Sequence, residues 1–171
     1  MLTPAIKTNR LILRKMTESD YPAFKAYFTH PLTAQYSNIP NPNAHNCKQA
    51  FDTNINSEFS WAVCLADSGE VVGDIHFANI LELYLADIGY IQSPDFWGNG
   101  YMTEAVNAVV DYAFNELFFG RIRAVTMQDN SRSVKLLERC GFVREAAICE
   151  GNYGGVVADI FYYSITKLNK I

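Results

Sequence analysis

Asp87-Ile-Gly-Tyr-Ile-Gln-Ser-Pro-Asp-Phe-Trp-Gly-Asn-Gly-Tyr-Met-Thr-Glu-Ala105 runs from a strand-like segment through a glycine-bearing turn into a helix. Beyond the turn, Met102, Val106, Val109, Val110, Ala113 and Leu117 recur at helical spacing, which predicts a long amphipathic helix with one face in a core. Gly98 and Gly100 let backbone N–H groups converge at the start of that helix, where unpaired amides and the helix dipole favour an anion. On these residues alone two readings stand open: a phosphate or pyrophosphate site, or a tight turn that merely starts the helix. Two nucleotide-binding alternatives lack their parts. A mononucleotide P-loop needs a Gly-Lys-Ser/Thr ending, and a dinucleotide fold needs a third glycine and an acidic strand end further on; the segment has neither.

On the N-terminal side, residues 59–66 and 71–78 are aromatic and β-branched runs joined by Asp67-Ser-Gly-Glu70, which predicts two antiparallel strands and a tight turn, and 83–91 is a third strand. Nearer the start, Arg10-Leu-Ile-Leu-Arg14 reads as a short strand, Thr17-Glu-Ser-Asp20 as a capped helix start, and 19–30 as a helix ending before Pro31. Residues 31–47, with Pro40 and Pro42 close together and several Asn, predict a surface loop of the kind that shapes a binding site. On the C-terminal side follow a strand over 121–127, a helix over 131–140 stopped by Gly141, and strands over 142–150 and 156–166. The order is mixed α/β in one sheet, without internal repeats.

At 171 residues, 49% of them hydrophobic, the chain suffices for one substantial core, so residues 1–171 read as a single domain. Eighteen acidic against fourteen basic residues give a net charge of −4, which argues against a general grip on nucleic acid or on an anionic membrane. The first ten residues lack the apolar core of a signal peptide, and no stretch approaches the roughly 20 apolar residues of a membrane span, so a cytoplasmic protein is expected. Cys47, Cys64, Cys140 and Cys149 have no CxxC spacing, and His30, His45 and His76 are scattered; reduced structural thiols and no metal site are expected.

The run Trp-Gly-Asn-Gly-Tyr-Met-Thr-Glu-Ala within 90–105 resembles the acetyl-CoA-binding turn of the Gcn5-related N-acetyltransferases (GNAT), especially the RimJ/RimL-like branch that acetylates ribosomal-protein N-termini. A second segment, Asn130-Ser-Arg-Ser-Val-Lys-Leu-Leu-Glu-Arg-Cys-Gly-Phe142, is similar to that branch's Asn-xx-Ser…Glu-Lys-x-Gly-Phe motif, and Thr8-Asn-Arg-Leu-Ile-Leu-Arg14 is similar to its start. The resemblance spans nearly the whole chain. It implies an acyl-CoA N-acyltransferase fold, a mixed, mostly antiparallel sheet flanked by helices, with acetyl-CoA as co-substrate and no metal.

Carried over residue by residue, the resemblance implies that backbone amides of Trp97, Gly98, Asn99, Gly100, Tyr101, Met102 and Thr103 hold the pyrophosphate. Asn130 then faces the pantetheine arm, although Asn is equally a favoured helix N-cap. Between residues 121 and 144 six basic and two acidic residues leave +4, which suits a phosphate-rich co-substrate as well as a solvated helix face. The chain also departs from the pattern. Asn99 stands where the family often has Lys or Arg, so a phosphate-directed charge would have to come from Arg132. Leu137 stands where much of the superfamily has the tyrosine that protonates the departing thiolate, and the resemblance moves that role to Ser133. Transfer to an amine needs a proton acceptor, for which the resemblance offers Asp87 first and Glu150 second, while a backbone N–H near Ile91 polarises the thioester carbonyl. No nucleophile triad is legible, which favours direct attack of the amine on the thioester.

The implied acceptor is a primary amine, first of all a protein N-terminal α-amine such as that of a ribosomal protein, which an acidic enzyme suits. A small-molecule amine (polyamine, aminoglycoside or amino acid) is the alternative, and a non-catalytic acyl-CoA-binding module or a pure interaction protein are further ones. A monomer or a homodimer fits the sequence equally.

Overall fold

The computed structural model describes residues 3–36, 44–81, 85–153 and 155–170. Strands β1 (Ile6–Lys7), β2 (Leu11–Arg14), β3 (Ser60–Leu65), β4 (Val71–Leu81), β5 (Leu85–Gln92), β6 (Arg121–Met127), β7 (Val143–Tyr153) and β8 (Val156–Thr166) form one sheet in the order β1-β2-β3-β4-β5-β6-β8-β7. Every neighbouring pair is antiparallel except β5 and β6. Helices α1 (Tyr21–Phe28), α2 (Pro31–Ala34), α3 (Ala44–Asn56), α4 (Tyr101–Asn115) and α5 (Ser131–Arg139) complete the mixed, mostly antiparallel α/β fold that the sequence predicts.

Two cores hold the helices to the sheet. Met102, Val106, Val109, Val110 and Ala113, the apolar stripe of α4, are all at most 2% exposed and pack with Leu13, Val63, Ile75, Ile88 and Ile122 of the strands. Burying each of the larger side chains contributes about 1.5–3 kcal/mol, so the stripe alone fixes α4 against the sheet. The second core gathers Phe24, Tyr27 and Phe28 of α1 and Cys47 and Phe51 of α3 with Met16, Ala62 and Cys64. Between Thr17 and Asp20 a reciprocal capping box closes a single 3-10 turn, so α1 starts at Tyr21 rather than 19. Arg14 binds both oxygens of the buried Asp20 at 2.8 Å, tying β2 to that turn.

The expected loop over 31–47 is helical at both of its described ends. Pro31 occupies the first turn of α2, where its missing N–H costs nothing, and His30 Nδ1 accepts from Leu32 N–H at 3.1 Å to cap it. Cys47, Phe51 and Ile55 stand at i, i+4 and i+8, so α3 lays one narrow apolar stripe on the second core. Its intervening Asn, Gln, Lys and Asp residues hide that stripe from composition. Pro40 and Pro42 lie outside the described residues, as does the 82–84 stretch where the third strand was expected to begin. The two-residue β1 is too short to leave a periodic signal, and β4 and β7 run longer than expected.

What positions the site is the β5–α4–β6 crossover. The parallel ladder joins Leu85, Ala86 and Asp87 to Arg121, Ile122 and Arg123. Among the described residues no later part of β5 is registered against β6, although β5 continues to Gln92. The two strands part, and the gap opens beside the start of α4.

Candidate active site

A cavity of about 490 Å³ occupies that gap. Its first wall is the turn into α4, with Trp97, Gly98, Gly100, Met102 and Thr103. Gly98 and Gly100 have φ of +83° and +76°, a region glycine enters without strain. A Cβ at Gly98 would meet no protein atom within 4 Å, so the turn borders open space there. Gly100 is the N-cap of α4 and no side chain caps the helix, which leaves first-turn amides to a ligand. Glu104, an anion in that first turn, is tied away: Thr8 Oγ1 donates to it at 2.6 Å, and the Arg10 backbone N–H and Nε donate at 2.9 and 2.7 Å. Burial raises its carboxyl, but these hydrogen bonds outweigh burial and hold it below the usual glutamate range.

The second wall is α5. Arg132, Lys135 and Arg139, spaced i, i+3 and i+7, share one side of the helix and line the cavity. The Arg132 guanidinium lies over the Trp97 ring at 4.4 Å, so the two walls meet. Uncapped amides, two positive-φ glycines, of which Gly98 borders open space, and three cations form a donor set that fits a pyrophosphate and a further phosphate. The fit of this structure to a phosphate-rich co-substrate rests on those features.

Deeper in the gap, Asn130 caps α5, its Oδ1 accepting from Ser133 N–H at 3.2 Å, and it also lines the cavity. The Ser133 hydroxyl shares a 2.9 Å hydrogen bond with the Tyr90 hydroxyl. Burial pushes the Tyr90 phenol far above its ordinary range, with the Ser133 contact opposing in part, so the ring stays a protonated donor. Tyr90 is a cavity residue that sequence reasoning did not single out. Leu137 occupies the helical position of the family's tyrosine, but β5 brings a phenol to the same serine from the sheet. Ser93 N–H donates to Val72 O at 2.8 Å. The two-residue alternation of a strand then turns the Ile91 amide towards β4 and the amides of Tyr90 and Gln92 towards the gap. The amides of this stretch that face the gap are therefore those of the neighbours of Ile91, while Ile91 itself lines the cavity.

The far end is aromatic and polar but carries no carboxylate among the described lining residues: Phe28, Leu32, Thr33 and Tyr36 from the α1–α2 side, Tyr153 from β7 and His76 from β4. Behind His76 the Asp74 carboxylate is fully buried, accepting from Tyr27 Oη at 2.9 Å and from Asn54 Nδ2 at 3.3 Å. His76 Nδ1 stands 3.5 Å from Asp74 Oδ1, an ion-pair distance without hydrogen-bond alignment.

Four of the expected site residues fall outside this lining. Asp87 sits where β5 is still paired to β6, held by Arg123 Nε at 2.8 Å and Asn79 Nδ2 at 2.9 Å. Glu150 is exposed at an irregularity of β7, with φ of +51°, and its N–H binds Asp159. The Asn99 side chain folds back onto Phe96 O at 3.1 Å, and Tyr101 carries the Arg10 guanidinium over its ring. All four cysteines are free thiols; burial raises the Cys140 thiol to about 11, which suits a structural rather than a nucleophilic role. Among the described residues no three His, Cys, Asp or Glu side chains gather as metal ligands, and no helix is long and apolar enough to cross a membrane.

Comparison with known proteins bears on this geometry. The family described as acetyltransferase (GNAT) domain matches residues 10–143. The chain is 33% identical over 172 residues to the uncharacterized N-acetyltransferase YoaA of Bacillus subtilis, covering 96% of this chain and 97% of that one. It is 32% identical over 91 residues to the [ribosomal protein uS5]-alanine N-acetyltransferase of Escherichia coli, covering 52% and 47%. Among solved structures, the GNAT-family acetyltransferase of Bacillus anthracis superposes with a TM-score of 0.88 at 26% identity, over 95% of this chain and 98% of that one.

Proposed function

The chain belongs to the GNAT acetyltransferases and is an N-acetyltransferase, and from that premise we propose that it moves the acetyl group of acetyl-CoA to a protein N-terminal α-amine of the ribosomal-protein kind. The observation that carries this reading is one continuous cavity. It joins the uncapped start of α4 and the cations of α5 to an aromatic end without a carboxylate among the described residues. Amides of the 97–103 turn, with Arg132, Lys135 and Arg139, hold the phosphates. Asn130 and Ile91 border the pantetheine arm.

When bound, acetyl-CoA supplies a thioester carbonyl next to a leaving sulfur. Amides of Tyr90 and Gln92 stand ready for the carbonyl oxygen, and the Ser133–Tyr90 hydroxyl pair donates towards the sulfur as charge develops there. A polyamine or aminoglycoside carries several positive charges and calls for acidic partners, which the described lining lacks. An α-amine on a peptide backbone needs none. The E. coli relative named for ribosomal protein uS5 supports the same acceptor class over half of the chain. The net charge of −4 suits a basic protein partner.

We read residues 1–171 as one N-acetyltransferase domain acting as a monomer or homodimer, without nucleic acid or membrane as partner, and assign it to the cytoplasm, where its four free thiols stay reduced. Thiol release from acetyl-CoA, measured across N-terminal peptides, internal-lysine peptides and polyamines, tests the reading. Release with N-terminal peptides is expected. Release with polyamines alone would replace the acceptor, and binding without release would make the chain an acyl-CoA-binding module.

A further inference from the structure

The mechanism above leaves the amine's protons without a destination, and the two carboxylates suggested by resemblance do not line the cavity. His76 does. The Nε2 edge of its ring lies against Gly89, where a Cβ would stand 2.6 Å from Nε2 and 2.9 Å from Cε1, so any larger residue at that position would push the imidazole aside. His76 and Gly89 are cross-strand partners of β4 and β5, on the stretch of β5 that has parted from β6. Nδ1 is buried without a hydrogen-bond partner among the described residues, and the Asp74 carboxylate stands beside it at an ion-pair distance of 3.5 Å. Asp74 is itself fixed by Tyr27 from α1 and Asn54 from α3. A buried carboxylate beside Nδ1 favours the tautomer with its proton there, which leaves the Nε2 lone pair bare.

Resting on the acetyltransfer reading, we propose that His76 is the catalytic proton acceptor for the incoming amine, with Asp74 as its positioning residue. The ammonium gives one proton to Nε2, which passes it to solvent. The neutral nitrogen forms the new bond to the acyl carbon as the carbon–sulfur bond breaks, and its second proton ends on the sulfur. One proton is released per turnover.

This choice of base carries a selectivity. A lysine-type ammonium holds its proton more tightly than an α-ammonium by roughly 2.5 pH units. A neutral imidazole therefore takes a proton from an α-ammonium at less cost than from an alkylammonium. The charged and titratable groups around His76 are Asp74 on its own strand, Tyr27 from α1, Tyr90 on β5, and the Asp87–Arg123 pair one step along the same face; Ser60 pairs with it from β3.

Replacing His76 by Gln keeps a hydrogen-bonding side chain and removes basicity. H76Q is expected to lower kcat by about 10²–10³ near neutral pH, to keep the thermal shift given by acetyl-CoA, and to recover as pH rises towards the amine's own titration. G89A should show the same loss through the displaced ring. Independently of turnover, the ¹⁵N spectrum of wild-type His76 should show the Nδ1-protonated tautomer, and D74N should mix the tautomers. H76Q turnover within about twofold of wild type, across pH, overturns the proposal alone. A wild-type chain that releases no thiol with any amine overturns the acetyltransfer reading, and this proposal with it. If H76Q does not melt cooperatively, the spectrum decides: an Nε2-protonated ring in the wild type overturns the assignment.

Discussion

The two ends of the cavity are built by different means. The end proposed for the co-substrate relies mainly on backbone, with amides at the start of α4 and glycines with positive φ, supported by a row of cations on one side of α5. The acceptor end uses side chains from α1, α2, β4, β5 and β7, which the chain separates by as much as 125 residues, from Phe28 to Tyr153. A backbone site is local in sequence and intolerant of change at a few glycines. A side-chain site is assembled by the fold, and its residues can be replaced one at a time.

The sharpest way to break this contrast is at the turn. Gly100→Val forces a β-branched residue into φ of +76°, a strain of about 1–2 kcal/mol, and redirects the amides that follow. We expect the thermal shift given by acetyl-CoA to vanish and turnover to fall by more than about 100-fold, with the melting temperature of the free chain lowered only by the strain. An unchanged shift would mean that the co-substrate is held by side chains after all.

A smaller effect is expected deeper in the gap. Ser133→Ala and Tyr90→Phe each remove one hydroxyl of the 2.9 Å pair, and each should lower kcat by about 10-fold or more while leaving acetyl-CoA affinity within about threefold. If both variants lose binding and turnover together, the pair grips the co-substrate and does not assist the leaving sulfur. The double variant should cost little more than either single one, because the hydroxyls act as a unit.

This contrast also explains what could be read from the chain. The α4 stripe, the glycine turn and the Asn130–Gly141 segment are contiguous, so their periodicity and spacing were visible, and the sheet class followed from the alternation of strands around them. Tyr90, His76 and Asp74 carry no local signal. His76 is one of three scattered histidines, and its pairing with a buried Asp74 exists only because β4 turns both residues to one face under α1 and α3. One hint was present: Gly89 interrupts a strand, which often marks close approach of another group. Helix α3 was hidden by its polar residues. Resemblance placed Asp87 on the right strand, while only the register shows it on the closed side of the fork.

In the first turn of α4, Arg10 and Thr8 hold Glu104 outside the cavity lining, and this link should act on stability rather than on chemistry. Glu104→Gln is expected to cost on the order of 1 kcal/mol at neutral pH by weakening three hydrogen bonds to a charged acceptor. The carboxyl is held below its ordinary value, so the folded state binds its proton less readily than the unfolded chain. Its contribution is complete above the unfolded carboxylate range and is lost as pH falls through the folded value. Denaturant melts of wild type and variant should therefore converge as the medium is acidified, and a difference that grows on acidification would reverse the assignment.

The smallest expected effect sits at the closed side of the fork and bears most directly on how the acceptor end works. Asp87→Asn removes the charge that pairs with Arg123, a partly exposed pair of the kind worth about 0–1 kcal/mol, and keeps the shape that Asn79 contacts. Because Asp87 does not line the cavity and its carboxylate is already engaged, turnover should stay within about threefold of wild type, with an unaltered pH profile near neutrality. A carboxylate acting as base would behave otherwise: turnover would fall by about 10² or more and return as pH rises and the amine loses its proton unaided. That result would mean that the fork opens further than Asp87↔Arg123 during catalysis, freeing the aspartate to face the amine, and the acceptor end would then be a moving part rather than a fixed assembly.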